Sequence, residues 1–251
     1  MDHSSQVTTI DRLARVLNCF TQEQPTWSLA ELAAQLELPK STLHRFLVGL
    51  EAHGILHRNL IDKRWRLGYR LFVWGSLVEE DNALREVARP SLCELVDTSG
   101  ETALLSVYRK GEVICTDKCD TSHPVRLKME VGTRHSPHAG ASSKILMAYL
   151  PEAEIQMIVE DKGLPKLCTN TITDRAELEA ELARIRKRGW AESLEETDLG
   201  AWGVASPIRD RKGQVVAAIG LAGPTMRYSR EKVRQYVILC RQSANKISSL
   251  L

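Results

Sequence analysis

The sequence predicts an α+β protein with a small helical N-terminal domain and a larger domain of mixed strands and helices. Three observations lead to this fold class. Helical apolar periodicity dominates residues 9–53, two short alternating segments follow up to residue 70, and strand-like and helix-like segments then interchange to the C-terminus. Helices followed by a hairpin are the order of a winged helix-turn-helix. We therefore expect domains at residues 1–70 and 98–251, joined by a linker helix at 71–97.

Composition indicates a globular protein with one basic region. The 251 residues are 43% hydrophobic and 26% charged, with a net charge of +2. Residues 38–70 hold seven basic and two acidic side chains, so positive charge is concentrated there. No apolar run approaches the roughly 18 residues of a membrane span, and the start "MDHSSQVTTIDRL" has no apolar signal region. We expect a cytoplasmic protein without a membrane segment.

Two amphipathic helices are predicted first. Residues 9–20 place five apolar side chains on one stripe: Ile10, Leu13, Ala14, Leu17 and Phe20. In "SLAELAAQLEL" a second helix begins with Ser28 and Glu31, the spacing of a capping box in which each side chain satisfies a free backbone amide. A tight break follows at residues 37–39, so the second helix leads directly into a third.

The third helix, in "LPKSTLHRFLVGL" at residues 38–50, has two different faces. Its apolar anchor consists of Leu43, Phe46, Leu47 and Leu50. Its polar face consists of Lys40, Ser41, Thr42, His44 and Arg45, all near the N-terminal end. The helix runs to about His53, and Gly54 is a plausible C-terminal cap.

A basic hairpin is predicted next, from "ILHRN" and "RWRLGY". It carries Arg58, Arg64 and Arg66.

An α-helix fits the major groove of DNA, and the polar side chains of the third helix are types that read base edges there. The hairpin arginines would then contact the flanking phosphates. A solvated polar face on a helix-turn-helix that binds no DNA is the alternative, and the local positive charge favours DNA.

The second half alternates strands and helices. A helical stretch from Leu71 to Asp97 has a soft interruption near "EEDNA". Hairpins are predicted in "TALLSVYRKGEVICTDK" and in "GVASPIRDRKGQVVAAIGLAG", and helices in "GASSKILMAYLP", "PEAEIQMIVED", "DRAELEAELARIRKRG" and the C-terminal segment.

Neither a metal site nor an active site has a diagnostic pattern. Cys115 and Cys119 form a close pair, and the nearby His123, His135 and His138 make only a vague constellation, so structural cysteines are favoured over zinc. The sequence contains no G-x-S-x-G, no complete phosphate-binding loop and no H-E-x-x-H. We expect no cofactor. The alternative function is an enzyme or a metal-binding sensor in which the C-terminal domain turns over its ligand.

Five segments resemble the IclR family of bacterial transcriptional regulators, in the same order along the chain: "SLAELAAQLELPKSTLHRFLVGLEAHGIL", "RWRLGYRLFVWG", "GTRHSPHAGASSKILMAYLP", "RKRGWAES" and "GVASPIRDRKGQVVAAIGLAGP". The resemblance implies a winged helix-turn-helix, a linker helix and a GAF-like effector-binding domain. It also implies a homodimer or tetramer on a palindromic site in double-stranded DNA, and a small organic or aromatic acid as effector. Whether the protein represses or activates stays open.

Small residues from Ala139 to Ser143 precede a predicted helix, where backbone amides can approach a ligand or where the helix simply packs tightly on the sheet. The resemblance favours a pocket. By position it implies the effector-binding residues Leu127, His135, His138, Ala141, Ser142, Ser193, Gly203, Gly220 and Ala222. His138 matches a loop histidine that can hold the loop instead.

Two positions depart from the family pattern. Glu37 stands where the family commonly has glycine, and a left-handed conformation there would cost a non-glycine residue about 1 kcal/mol. Ser143 replaces the usual glycine before the pocket-loop lysine, which can reshape the pocket.

Overall fold

The computed structural model describes residues 8–21, 23–77 and 79–251. The chain forms two compact units, which divide between Glu79 and Glu80. None of the helices in those three ranges has the length and apolar character that crossing a membrane requires.

The N-terminal unit is a winged helix-turn-helix, as predicted. Its elements are α1 (Thr9–Asn18), α2 (Leu29–Leu36), α3 (Lys40–Ala52), β1 (Leu56–Arg58), β2 (Trp65–Leu67) and α4 (Tyr69–Ser76). β1 and β2 pair antiparallel, and residue 27 makes a bridge to Trp65 that joins the hairpin to the start of α2. Leu32, Leu43, Leu47 and Trp65 are almost completely buried where these elements meet.

Local sequence explains the helix boundaries. The predicted capping box is confirmed: Ser28 Oγ accepts from the Glu31 amide, and the Glu31 carboxylate accepts from the Ser28 amide. A second capping box, between Thr8 and Asp11, begins α1. The predicted stripe of α1 is wrong at two residues, because Ile10 is 77% exposed and Ala14 is also exposed, whereas Val16, which was not in the stripe, is fully buried. The buried stripe starts one turn later, at Leu13.

The stretch 71–97 contains two helices. α4 ends at Ser76, with Leu77 as its C-cap, and α5 spans Glu79–Ser99. Residue 78 lies outside the described residues. The interruption expected near residues 79–83 is therefore misplaced, since α5 has already begun there.

The C-terminal unit is built on one antiparallel sheet of six strands in the order β5-β4-β3-β8-β7-β6. The strands are β3 (Thr102–Arg109), β4 (Glu112–Cys119), β5 (Arg134–His135), β6 (Ala191–Leu194), β7 (Ala201–Arg209) and β8 (Val215–Pro224). Both predicted hairpins are confirmed as β3–β4 and β7–β8.

Helices cover both faces of this sheet. They are α6 (Ala141–Met147), α7 (Glu152–Lys162), α8 (Arg175–Arg188) and α9 (Arg230–Ser248). α5 and α9 pack on one face, where the Trp202 ring stacks on Tyr236 at 5.4 Å. α6, α7 and α8 pack on the other, around Ile145, Leu182 and Ile185. A cavity lies on the α6 side of the sheet.

Candidate nucleic-acid interface and ligand cavity

Helix α3 separates an apolar anchor from an exposed polar face. Leu43, Leu47 and Leu50 are at most 7% exposed, whereas Phe46 is only partly buried. The predicted reading residues are on the outside: Lys40, Ser41, His44 and Arg45 are exposed and Thr42 is half-buried. The unit therefore presents a small, hydroxyl-bearing and basic surface at the first two turns of α3.

The turn before α3 depends on a left-handed residue. Glu37 has φ 55° and ψ 39°, and its amide donates to the carbonyls of Ala33 and Ala34. Non-glycine residues rarely adopt this conformation. The left-handed conformation considered for Glu37, where the family commonly has glycine, is therefore present. The turn leads to Pro39, whose φ of −57° suits the entry into α3.

The three hairpin arginines differ in what they contact. Arg66 is exposed on β2. Arg58 places its guanidinium 5.4 Å from the centre of the Trp65 ring and donates Nε to the Lys63 carbonyl. Arg64 instead donates to both carboxylate oxygens of Glu31, at 2.7 and 3.2 Å, and to two oxygens of Thr26. Arg64 thus fastens the hairpin to the start of α2.

A cavity of about 230 Å³ lies between the sheet and the start of α6. Small residues on three neighbouring strands contribute to its floor, because Gly203 on β7 pairs with Ala222 on β8 and with Ser193 on the edge strand β6. Seven of the nine predicted effector-binding residues line it: Leu127, His135, Ala141, Ser142, Ser193, Gly203 and Ala222.

The other two predicted pocket residues, Gly220 and His138, do not line the cavity. A Cβ on Gly220 would lie 2.6 Å from the Val204 carbonyl oxygen and 3.2 Å from Ser142 Oγ, so glycine lets α6 approach the sheet. The buried His138 contacts Ser136 Oγ at 2.7 Å and the Pro165 carbonyl at 3.0 Å. Both of its ring nitrogens are used within the protein, so His138 holds the loop.

His135 lines the cavity and has one ring nitrogen without a partner in the described part of the chain. Its Nε2 is buried and has no hydrogen-bond partner among the described residues. Burial lowers the pKa of His135 below its usual value, and the nearby Asp198 carboxylate opposes that shift. A buried ring nitrogen without a partner is costly unless a ligand or a water molecule occupies the adjacent space.

Sequence reasoning missed several residues of the cavity wall. Thr197 and Asp198, on the loop between β6 and β7, line it, as do Ser106 on β3 and Lys128 beside Leu127. Alternation along β3 puts Leu104 and Ser106 on one face and was a usable signal. No motif marks Thr197 or Asp198, because a loop brings them to the cavity.

The cysteines are scattered, with Cys19 in the N-terminal unit and the other five in the C-terminal unit. Cys119 Sγ lies 3.3 Å from Cys93 Sγ, while Cys115 is buried and desolvation raises its pKa to about 12. Among the described residues, no group of three His, Cys, Asp or Glu side chains is placed to hold a metal ion.

Comparison with known proteins matches both units. The model of the IclR helix-turn-helix domain matches residues 9–60, and that of the bacterial transcriptional regulator IclR C-terminal domain matches residues 78–249. The HTH-type transcriptional regulator BhcR of Paracoccus denitrificans is 30% identical over 98% of this chain and 88% of its own length. The transcriptional repressor IclR of Escherichia coli is 28% identical, covering 98% of this chain and 90% of its own.

A solved structure is also similar. An IclR homolog from Microbacterium hydrocarbonoxydans, crystallised as a complex with 4-hydroxybenzoate, has a TM-score of 0.84 at 26% identity. The match covers 96% of this chain and 98% of that one.

A helix-turn-helix with an exposed polar helix, joined in one chain to a domain with a ligand-sized cavity, defines a ligand-responsive DNA-binding regulator. The chain belongs to the IclR family. Like these relatives, it is a transcriptional regulator and not an enzyme.

Proposed function

We propose that α3 reads base edges in the major groove of a palindromic promoter site. The residues assigned to this role are Lys40, Ser41, Thr42, His44 and Arg45. Their position on the first two turns supports the proposal, because the N-terminal part of the second helix of a helix-turn-helix contacts the bases. Arg45 and Lys40 suit guanine, and the small Ser41 permits close approach of the helix to the groove.

The hairpin arginines serve the phosphate backbone in two ways. Arg58 and Arg66 contact phosphates directly. Arg64 acts through its bonds to Glu31 and Thr26, which hold the hairpin at the start of α2. Phosphate contacts fix the orientation of a protein on DNA without carrying sequence information.

A palindromic site requires two copies of the chain, and α4 supplies a surface for pairing them. Tyr69, Phe72 and Leu77 are 75%, 67% and 68% exposed, and Trp74 is 45% exposed. Contiguous exposed apolar side chains of this kind mark interaction sites. We assign this face to a homodimer. Contacts between C-terminal units can pair two such dimers into a tetramer, and the assembly binds DNA in the cytoplasm.

The cavity binds a small organic acid, with an aromatic acid as the first candidate. A cavity of ~150 Å³ accepts benzene, so 230 Å³ accommodates a ring with polar substituents. His135 carries this proposal: it lines the cavity, and its buried Nε2 has no partner among the described residues, so we assign it to hydrogen-bond a carboxylate or phenol. The 4-hydroxybenzoate in a structural relative supports the same ligand class.

Binding in the cavity changes the affinity for DNA through the stretch 71–97. Coupling between two sites is typically worth about 1–3 kcal/mol, or roughly 5- to 150-fold in affinity. A regulator with such an effector controls a catabolic operon for the acid, by repression or activation.

Filling the cavity tests this proposal. A Cβ on Gly203 would lie 3.4 Å from the Leu221 carbonyl oxygen and 3.6 Å from Ala141 Cβ, both ordinary contact distances. Because Gly203 lines the cavity, we expect valine to be accommodated and its methyl groups to take up cavity volume. We expect benzoate, 4-hydroxybenzoate or pyruvate to shift the affinity of the native chain for its own promoter DNA, measured by fluorescence anisotropy. Gly203→Val abolishes the shift and leaves the affinity for DNA unchanged.

The matched control is Ala176→Val on the exposed face of α8, which should respond like the native chain. A normal response of Gly203→Val would place the effector elsewhere.

A further inference from the structure

A buried ion pair lies directly behind the cavity wall. Lys144 on α6 is 2% exposed, and Glu196, on the loop between β6 and β7, is 7% exposed. Lys144 Nζ is 2.5 Å from Glu196 Oε1 and 3.8 Å from a carboxylate oxygen of Glu181 on α8. Buried charges are costly unless they are paired with good geometry, so this lysine and glutamate keep each other in place.

Glu196 also connects the two segments that form the cavity wall. Its Oε2 accepts a hydrogen bond from the Gly140 amide at 3.0 Å, at the start of α6. Its backbone carbonyl accepts from Thr171 Oγ1 at 2.6 Å. The Glu196 carboxylate therefore binds the Gly140 amide at the start of α6 with one oxygen and the Lys144 ammonium group on α6 with the other.

Cavity-lining residues flank both ends of this connection. Ala141 and Ser142 directly follow Gly140, and Thr197 and Asp198 directly follow Glu196. Gly140 has φ 92°, a backbone conformation that suits glycine. A Cβ there would lie 3.3 Å from Thr197 Cγ2, so the two segments are already in close contact at this point.

We propose that Lys144 and Glu196 are positioning residues of the effector cavity. Their ion pair holds residues 140–143 against Thr197 and Asp198, and the cavity keeps its shape only while the pair is intact. Neither side chain lines the cavity, so both act through the segments that they join. The inference rests on the proposed function of the cavity as the effector site.

Hydrogen exchange of the full-length chain tests the positioning role. Lys144→Met leaves the Glu196 charge unpaired, and Glu196→Ala also removes the acceptor of the Gly140 amide. We expect both changes to accelerate exchange at residues 140–143 and 197–198 by about tenfold or more, while the amides of β3 and β8 keep their protection. The control Lys246→Met, which breaks an exposed pair with Glu94, should leave both segments unchanged.

Glu196→Gln is the conservative variant to use if Lys144→Met or Glu196→Ala does not fold. It keeps an acceptor for the Gly140 amide and removes only the negative charge. It should accelerate exchange in the same two segments to a smaller extent. Acceleration spread evenly over the sheet, or none at residues 140–143, would overturn the proposal and leave the pair with a purely structural role.

Ligand titration separates this proposal from the proposed function. With benzoate and 4-hydroxybenzoate as probes, Lys144→Met should lose about tenfold or more in affinity relative to the native chain, with unchanged affinity for DNA. If neither probe binds the native chain, the effector assignment fails, whereas the exchange pattern still decides the positioning role.

Discussion

Side chains of one type have separate tasks in this protein. Arg64 and Arg66 are two residues apart on the hairpin, yet Arg64 makes four hydrogen bonds to Glu31 and Thr26 while Arg66 is exposed. These bonds also lower the pKa of Glu31, after the larger effect of the Ser28 amide. Arg64 therefore stabilises the N-terminal unit through contacts within the protein, whereas the positive charge of Arg66 is exposed to solvent.

Salt dependence should distinguish these two arginines. Arg66→Ala removes one phosphate contact, so we expect uniformly weaker binding to all duplexes and a slope of log affinity against log salt that is smaller by about 1. Arg64→Ala should lower the thermal unfolding temperature of the N-terminal unit instead. Filter binding across a salt series and calorimetry measure the two effects. Equal salt slopes for Arg66→Ala and the native chain would exclude Arg66 from the interface.

His135 and His138 of the C-terminal unit show a similar division. Burial lowers the pKa of both His135 and His138. His138 contacts acceptors or donors with both ring nitrogens, whereas His135 Nε2 has no partner within the described residues. Only His135 therefore leaves hydrogen-bonding capacity for a ligand.

Effector binding should consequently depend on pH. The lowered pKa keeps His135 neutral near pH 7, and a bound carboxylate would raise this pKa because it stabilises the imidazolium. Binding then takes up a proton, so affinity for an acid should rise as the pH falls from about 7.5 towards 5.5. Calorimetric titrations in buffers of different ionisation enthalpy measure the uptake. His135→Gln should abolish this dependence, and His57→Gln on the exposed β1 strand should retain it.

At the scale of elements, α4 exposes several large apolar side chains within its eight residues. Residues 69–76 contribute Tyr69, Phe72, Val73 and Trp74 to its outer surface, and Leu77 follows at the C-cap. Tyr69 and Phe72 also contact each other, with ring centroids 5.3 Å apart. A helix of eight residues gains little stability from propensity alone, so a partner surface would explain both its composition and its presence.

Placing a charge on this face should weaken the proposed homodimer. Phe72→Asp brings an unpaired carboxylate into the proposed interface, and we expect the dimer dissociation constant to rise by about tenfold or more. Sedimentation equilibrium measures it. Met157→Asp, at a residue of α7 that is 52% exposed, is the control and should behave like the native chain. An unchanged dissociation constant for Phe72→Asp would remove α4 from the interface.

For the whole molecule, sequence patterns predicted most of the architecture because its signals are local. The Ser28–Glu31 capping box, the Lys110–Gly111 turn between β3 and β4 and the Gly189 end of α8 each depend on neighbouring residues. The exposed polar face of α3 follows in the same way from one helical period.

Features that depend on tertiary contacts were not predictable. Arg64 was assigned to DNA, and only the fold shows that Glu31, thirty-three residues earlier, occupies its guanidinium. Asp198 lies on a loop without a motif, and the Lys144–Glu196 pair joins residues fifty-two positions apart. The cavity-lining residues Gly203 and Ala222 were predicted from family resemblance, because strand periodicity alone does not reveal which small residues face a cavity.

The small-residue floor of the cavity has a consequence for how such a sensor changes. Gly203, Ala222 and Ser193 lie side by side on three strands, and their neighbouring backbone is held by sheet hydrogen bonds. Adding or removing one or two carbon atoms there alters the volume of the cavity while the sheet, and the separate unit that carries α3, keep their structures. Effector specificity and DNA sequence specificity can therefore change independently in evolution, so a regulator can come to respond to a new effector while it still binds the same promoter.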